Sequence, residues 1–514
     1  DEAQRVLAEL PGVTVHIHDQ ACAAENRRGR ARGTIPTPGF RVVINERVCE
    51  GCGDCGDKSN CLSVQPVDTP YGRKTRIHQT SCNFDFSCLQ GDCPSFATVT
   101  VDDAGAARAG RPVRLDAPTD LPAPDVLVDR DDVTVRLTGI GGTGVITVSQ
   151  VLGTAAMLAG LHVRGLDQTG LSQKAGPVVS DLRITRDETA VSNHANASGV
   201  DCLLAFDLLV GASDANLAGV RADRTVVVAS TDAVPTGQMV THPDIAPPSA
   251  AVLVERVGQV SRSEDNRFLD AAGLADGLLG STTTANILLL GAAVQAGAIP
   301  VPTDAIEQAI TLNGVSVDTN LAAFRWGRAW IRDAASVERA AGLTRPAGPE
   351  SFDDLVERLA ADLVGYQSEA YADRFRAVVG AARDAERWCG VASTRYSESV
   401  ARNLHKLMAY KDEYEVARLL LGDEARTGYE AVGGADTTVT YHLHPPMLRA
   451  LGLERKLKLG SQEARALYDD RSAEIAAMKA VAANQISISY ERLLVEPENV
   501  LDELSAFLGL DPGL

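Results

Sequence analysis

The chain has 514 residues, 45% of them apolar and 23% charged, which is the composition of a soluble globular protein of several domains. Lys and Arg number 49 against 68 Asp and Glu, a net charge of −19, and so acidic a surface repels phosphate backbones and argues against nucleic acid as a partner. The longest apolar stretch, Ala285 to Ile299, is interrupted by Asn286, Gln295 and glycines, too broken to span a membrane, so no membrane partner is expected.

In chain order, Ala3 to Leu10 reads as a helix, and Val13 to His18, alternating and β-branched, reads as a strand. No secretory signal pattern precedes them, which points to the cytoplasm. A strand with nothing before it to pair with makes residues 1–38 read as the tail of a missing domain.

Seven of the ten cysteines fall between positions 49 and 93. Cys49, Cys52 and Cys55 follow one another at intervals of three, with Cys61 beyond them. Cys82, Cys88 and Cys93-Pro94 come later. A disulfide scaffold does not suit large, cysteine-poor flanking domains, and a zinc site calls for paired Cys-x2-Cys rather than a triplet. The triplet with a distant Cys-Pro is the ligand pattern of a four-iron cluster in two-cluster bacterial ferredoxins. Cys82, Asp85 and Cys88 repeat the spacing with a carboxylate in the middle. Either Asp85 is a loop residue and one cluster exists, or a second cluster is held by Cys61, Cys82, Asp85 and Cys88 while Cys93 completes the first. The second reading leaves no thiol of the set without a role, and the harder oxygen ligand would make that iron labile. Cys22, Cys202 and Cys389 carry no ligand spacing.

A Pro-rich stretch, 108–129, reads as a linker. Val133 to Leu137 then forms a strand running into Gly139-Ile140-Gly141-Gly142-Thr143-Gly144, followed by a helix to about Ala159 and a strand from His162, a βαβ unit. The turn matches G-x-G-x-x-G, and Asp167 stands where a ribose-binding acid would. Gly139, Gly141, Gly142 and Gly144 could cradle a phosphate, bind a dinucleotide, or merely allow a tight turn. Further strands (177–184, 201–209, 225–230) and helices (282–298, 303–312, 317–335) complete one α/β domain over 130–345. From 351 to 460 the pattern is helical throughout, with Phe352, Leu355, Leu359 and Leu363 on one face.

The segment VCEGCGDCGDKSNCLSVQPVDTPYGRKTRIHQTSCNFDFSCLQGDCPSF resembles the ferredoxin-like part of fused indolepyruvate ferredoxin oxidoreductases. TGIGGTGVITVSQVLGTAAMLAG and GLDQTGLSQKAGPVVSDLRI resemble the γ-type domain of 2-oxoacid:ferredoxin oxidoreductases, and PGVTVHIHDQACAAENRRGRARG resembles the end of their thiamine-diphosphate domain. ISISYERLLVEPENVLDELSAFLGLDPGL resembles the end of a sulfotransferase. The resemblance implies a multidomain α/β protein. It has a ferredoxin-like iron–sulfur domain (39–107), a doubly wound γ-type domain (130–345), a helical module (350–460) and an unrelated tail (461–514).

It further implies oxidative decarboxylation of an aryl 2-oxoacid with coenzyme A and ferredoxin, through two iron–sulfur (4Fe-4S) clusters. Thiamine diphosphate and Mg would be held by a missing domain or subunit, and a homo-oligomer is expected. No catalytic residue is identified in this chain. Two rivals remain: a free-standing iron–sulfur reductase using flavin or a nicotinamide dinucleotide at Gly139–Gly144, and an inactive fragment.

Overall fold

The computed structural model describes residues 2–17, 19, 21–91, 93–101, 113–170, 176–188, 192–242, 245–343, 350–390, 392–443, 457–460 and 465. Its largest sheet holds β5 (Asp132–Ile140), β6 (His162–Thr169), β7 (Pro177–Thr185), β8 (Cys202–Ala205), β9 (Val226–Ser230) and β10 (Arg267–Leu269), in the order β10-β9-β8-β5-β7-β6. Strands β10, β9, β8 and β5 run parallel, whereas β7 is antiparallel to both β5 and β6. The expected βαβ unit is therefore present with a strand inserted: β5 and β6 point the same way, and β7 lies between them.

Alternate residues of the central strands enter different cores. Cys202, Leu204, Val226 and Val228 pack with the helices Val145–Leu158 and Ala285–Gln295. Leu203, Ala205, Val227 and Ala229 pack with Leu253 and Val257 of the helix Ala250–Gly258. Strands covered on both faces need continuous apolar sequence, which is what Val226-Val227-Val228-Ala229 provides. The long apolar stretch at 285–299 is the central core helix. It crosses the helix Val317–Arg332 so closely that a Cβ on Gly291 would stand 2.0 Å from the Phe324 carbonyl oxygen. Among the described residues no helix is long and apolar enough to cross a membrane.

Of the Pro-rich stretch, the described residues 113–129 are seated on this domain. Arg114 N–H donates to Leu278 O, Trp326 Nε1 donates to Arg114 O, and Arg328 and Gln295 both donate to Pro122 O.

The cysteine-rich region contains the antiparallel pair β1 (Phe40–Ile44) and β4 (Phe96–Thr100) and the hairpin β2 (Val64–Thr69)–β3 (Gly72–Ile77). The expectation of helix throughout 351–460 is corrected at one end. After five helices between Phe352 and Gly433, β11 (Val439–Leu443) pairs with β4 and β12 (Leu457–Gly460) pairs with β11. The β-branched run Thr437-Thr438-Val439-Thr440 favours strand, and the open edge of β4 supplies its partner. The strand expected at Val13 to His18 is also corrected. Val13 to Ile17 forms no strand, and Val13 is 97% exposed. Alternation alone does not make a strand without a neighbour to bond. The sulfotransferase-like residues 486–514 lie outside the described residues.

Candidate metal centres and an adjoining cavity

The two triplets fold as copies of one loop. In the first, Gly51 and Gly53 have φ of 65° and 84°, and the Gly51 N–H donates to Cys49 Sγ at 3.3 Å. In the second, Phe84 and Phe86, at the same offsets from Cys82, have φ of 56° and 59°, and the Phe84 N–H donates to Cys82 Sγ at 3.4 Å. A helical turn follows each: Asp54–Ser59 after Gly53, and Ser87–Gln90 after Phe86. Asp85 thus occupies the place of Cys52, and both are exposed. Left-handed backbone at a bulky residue costs roughly 1–3 kcal/mol and persists only where surroundings impose it. Here Phe86 stacks on Phe40 at 4.7 Å between centroids, and Arg41 lies over the Phe84 ring at 4.6 Å.

The thiols sort into two groups. Burial pushes the Cys55 thiol up to about 12, with the neighbouring Cys49, Cys93 and Cys52 adding to the shift. Burial also pushes Cys88 up to about 12, with Cys82, Cys61 and Asp85 adding to it. The neighbours of Cys55 therefore include Cys93 from the far end of the region, and those of Cys88 include Cys61. All ten cysteines are free thiols. Among the described residues no three His, Cys, Asp or Glu side chains converge on a single ion position. Thiols that each meet a different corner of an iron–sulfur cube have no need to share one, and two four-ligand sets suit that donor chemistry better than a mononuclear metal. Asp85 itself accepts hydrogen bonds from Ser87 N (3.2 Å) and Oγ (3.0 Å), both through Oδ1.

Neighbouring segments brace both loops. Arg27 and Arg30, on the helix Ala23–Ala31, donate to the carbonyls of Thr80 (2.6 Å) and Asn83 (2.7 Å) beside the second triplet. Beside the first, Lys74 Nζ donates to Cys49 O at 2.7 Å, and burial followed by the nearby Lys411 lowers its pKa to about 8. A Cβ on Gly56 would lie 2.6 Å from Val240 O, so the first loop abuts the α/β domain. None of these braces carries a local sequence signal. The Phe84 and Phe86 offsets from Cys82, matching Gly51 and Gly53 from Cys49, were the one signal available.

A cavity of about 370 Å³ lies between the second triplet's surroundings and the glycine turn. One wall carries Leu62, Gln65, His78, Thr80 and Ser81; the other carries Ile140 to Thr143, Asp207, Asp232 and Asn286. Gly142 (φ 101°) has open space where a Cβ would stand, whereas at Gly144 (φ 80°) a Cβ would meet Asn286 Nδ2 at 2.1 Å, and at Gly139 Thr143 Oγ1 at 2.7 Å. The turn's donors are partly used: Gly141 N–H bonds Gly176 O and Thr143 N–H bonds Ile140 O. Asp207 caps Val210 N and Val234 N, and burial raises its pKa; burial, with Asp270 adding, raises Asp232 to about 6. Asp167 is elsewhere. It sits on β6, takes a hydrogen bond from Ser180 Oγ at 2.5 Å, and does not line the cavity, which removes the ribose ligand that a dinucleotide would need.

Residues 134–330 match the family described as pyruvate ferredoxin/flavodoxin oxidoreductase, and 352–473 match a family of unknown function, DUF6537. The indolepyruvate oxidoreductase subunit IorB of Methanothermobacter thermautotrophicus is 27% identical over 203 residues, covering 38% of this chain and 94% of that protein. The IorB of Pyrococcus horikoshii is 27% identical over 205 residues, with the same coverage. Among solved structures, pyruvate oxidoreductase subunit PORC of Thermotoga maritima aligns at 23% identity and TM-score 0.29, over 39% of this chain and 97% of its own. The 2-oxoglutarate:ferredoxin oxidoreductase of Magnetococcus marinus aligns at 17% identity and TM-score 0.30, over 40% and 32%. The sulfotransferase likeness finds no support among these comparisons. Residues 134–330 are thus similar to the pyruvate ferredoxin/flavodoxin oxidoreductase family and to IorB subunits of indolepyruvate oxidoreductases.

Proposed function

We propose that this chain is the electron-transfer and γ-domain portion of an indolepyruvate (arylpyruvate) ferredoxin oxidoreductase. The whole enzyme would convert an aryl 2-oxoacid and coenzyme A to acyl-CoA and carbon dioxide while reducing ferredoxin. The observation that carries the reading is the duplicated loop with its crossed grouping. Cys49, Cys52, Cys55 and Cys93 would hold one cluster, and Cys61, Cys82, Asp85 and Cys88 the other. When bound, the clusters supply one-electron donor and acceptor sites between ferredoxin and a thiamine-diphosphate–Mg domain or subunit that partners this chain.

The residues of this chain hold and orient those groups. The left-handed positions give both triplets the same turn, and Arg27 and Arg30 fix the second loop against its neighbour. At the cavity, Gly142 leaves backbone open to an anionic group, such as a phosphate of coenzyme A or of the thiamine cofactor, at the start of the helix Val145–Leu158.

Anaerobically prepared protein should carry about eight iron atoms, and Cys49→Ser should remove about half of them. Iron content below one atom per chain, or unchanged by Cys49→Ser, would overturn the assignment.

A further inference from the structure

Two ammonium groups from different parts of the chain converge on one backbone carbonyl. Lys74, on β3, is 7% exposed and donates to Cys49 O at 2.7 Å. Lys411 lies between the helices Arg395–Met408 and Glu413–Leu421. It donates to the same oxygen at 3.4 Å and to Val48 O at 3.3 Å, and it forms an ion pair with Glu50. Burying one ammonium beside another is unfavourable, and Glu50 offsets only one of the two charges. A cluster bound at the Cys49 thiolate would supply further negative charge beside them. Four thiolates around an iron–sulfide core are net negative in both redox states, and more negative by one unit after reduction.

A cation fixed near such a group favours its reduced form, because potential follows net charge and the hydrogen bonds and dipoles around the sulfurs. The carbonyl of Cys49 would otherwise aim its negative end into this region. Two ammonium donors on it neutralise that dipole as well as adding charge. The second triplet is braced by arginines instead. Arg27 and Arg30, from the opening segment, hold its carbonyls and Arg41 of β1 lies over the Phe84 ring, so the helical region braces the first centre and other segments the second.

We infer that Lys74 and Lys411 raise the reduction potential of the cluster held by Cys49, Cys52, Cys55 and Cys93, and that the helical region of unknown function acts as the element delivering Lys411 to it. The inference rests on the cluster assignment above and adds to it a role for the 352–473 region. Both lysines are positioning residues; neither touches the reacting substrate.

The test is a redox titration, followed by electron paramagnetic resonance, of the full reconstituted chain and its Lys411→Gln, Lys411→Arg and Glu50→Gln variants. The first centre is identified as the signal lost in Cys49→Ser. Lys411→Gln should lower that centre's potential so that its reduced-to-oxidised ratio at fixed ambient potential falls about tenfold, or about 59 mV for one electron. Lys411→Arg should restore it, Glu50→Gln should shift it upward, and the second centre should stay put in all three. The opposite sign expected for Glu50→Gln keeps the test decisive where Lys411→Gln yields poorly folded protein. Two intact clusters with an unmoved first potential, or equal shifts of both, overturn the inference and leave the cluster assignment standing. A wild-type chain that takes up no cluster overturns both.

Discussion

Asp362 joins the helical region to the cysteine-rich region, and its removal should loosen that joint by a calculable amount. It lies on the helix Phe352–Tyr366 with its side chain 7% exposed. Oδ1 accepts from Arg47 Nη2 at 2.7 Å and from Arg418 Nη2 at 3.1 Å, and Oδ2 lies 3.0 Å from His405 Nε2. Burial alone would raise its pKa, but the His405 hydrogen bond and the charges of Arg47 and Arg418 overcome this and hold it far below the usual carboxylate range. Asp362→Asn leaves Arg47 with exposed Glu424, and Arg418 with Glu415 at 2.6 and 2.7 Å. Breaking a buried pair costs about 3–5 kcal/mol, and these remaining partners put the expected loss at the low end, about 3 kcal/mol.

A chain of several domains does not unfold in one step, so the readout is local. Amide exchange in the helices 352–366 and 395–408 should quicken by about a hundredfold, since 1.4 kcal/mol is tenfold. The sign with pH follows from the lowered pKa. The contribution of Asp362 is fully present above its unfolded value of 3.8 and is lost as pH falls through the still lower folded value. Wild-type protection should therefore fall on acidification below about 3.8, and Asp362→Asn should lack that component. Exchange within threefold of wild type at neutral pH would show that the Arg47 and Arg418 charges are satisfied without Asp362.

Three further outcomes are expected. Mild oxidation should convert the Asp85-containing cluster from four irons to three, and Asp85→Cys should protect it; the absence of a three-iron resonance, with Asp85→Ala spectroscopically silent, would make Asp85 a loop residue. Gly142→Val forces a β-branched side chain to φ 101°, costing roughly 1–3 kcal/mol, and should abolish coenzyme A or thiamine phosphate binding at the turn; unchanged affinity in calorimetry of a folded variant rejects the site. Asp232, raised from 3.8 to about 6 by burial, should destabilise the α/β domain progressively from pH 3.8 to 6, by about 3 kcal/mol, and Asp232→Asn should flatten that slope in pH-dependent denaturation.

The sequence showed the elements of the α/β domain because their cues are local: apolar runs for strands buried on both faces, and glycines at the turn. The helix at 285–295 was legible for the same reason. What escaped depends on partners distant in sequence. β11 needs the edge of β4, more than three hundred residues earlier, to outweigh the helical context around it. The second triplet was visible as a repeat of the first one's spacing, but the shared backbone turn was not, because Phe84 and Phe86 hold the left-handed conformation that Gly51 and Gly53 adopt freely. Asp167 had the right offset for a ribose ligand, yet β7 intervenes between β5 and β6, and β6 lies at the sheet edge, three positions from β8.

The two centres, on the proposed function, face different neighbours. Leu62, Thr80 and Ser81 adjoin Cys61 and Cys82 in sequence and also line the cavity that holds the glycine turn, so the second triplet is next to the space where substrate-derived groups would sit. Glu50, the residue after Cys49, lines a different cavity, of about 230 Å³, between the β2–β3 hairpin and the helical region, whose lining includes Arg47, Lys74, Arg402, Lys406 and Lys411. Set against Glu50, Asp362 and Glu415 in the same lining, these cations are in excess, and on the proposed function an acidic electron carrier would meet that surface favourably. On the proposed function, the carboxylate-bearing centre beside the cavity would be the entry, and the all-cysteine centre, with two lysines on its first ligand's carbonyl, the exit. Added positive charge at the exit would act to make the transfer between them downhill.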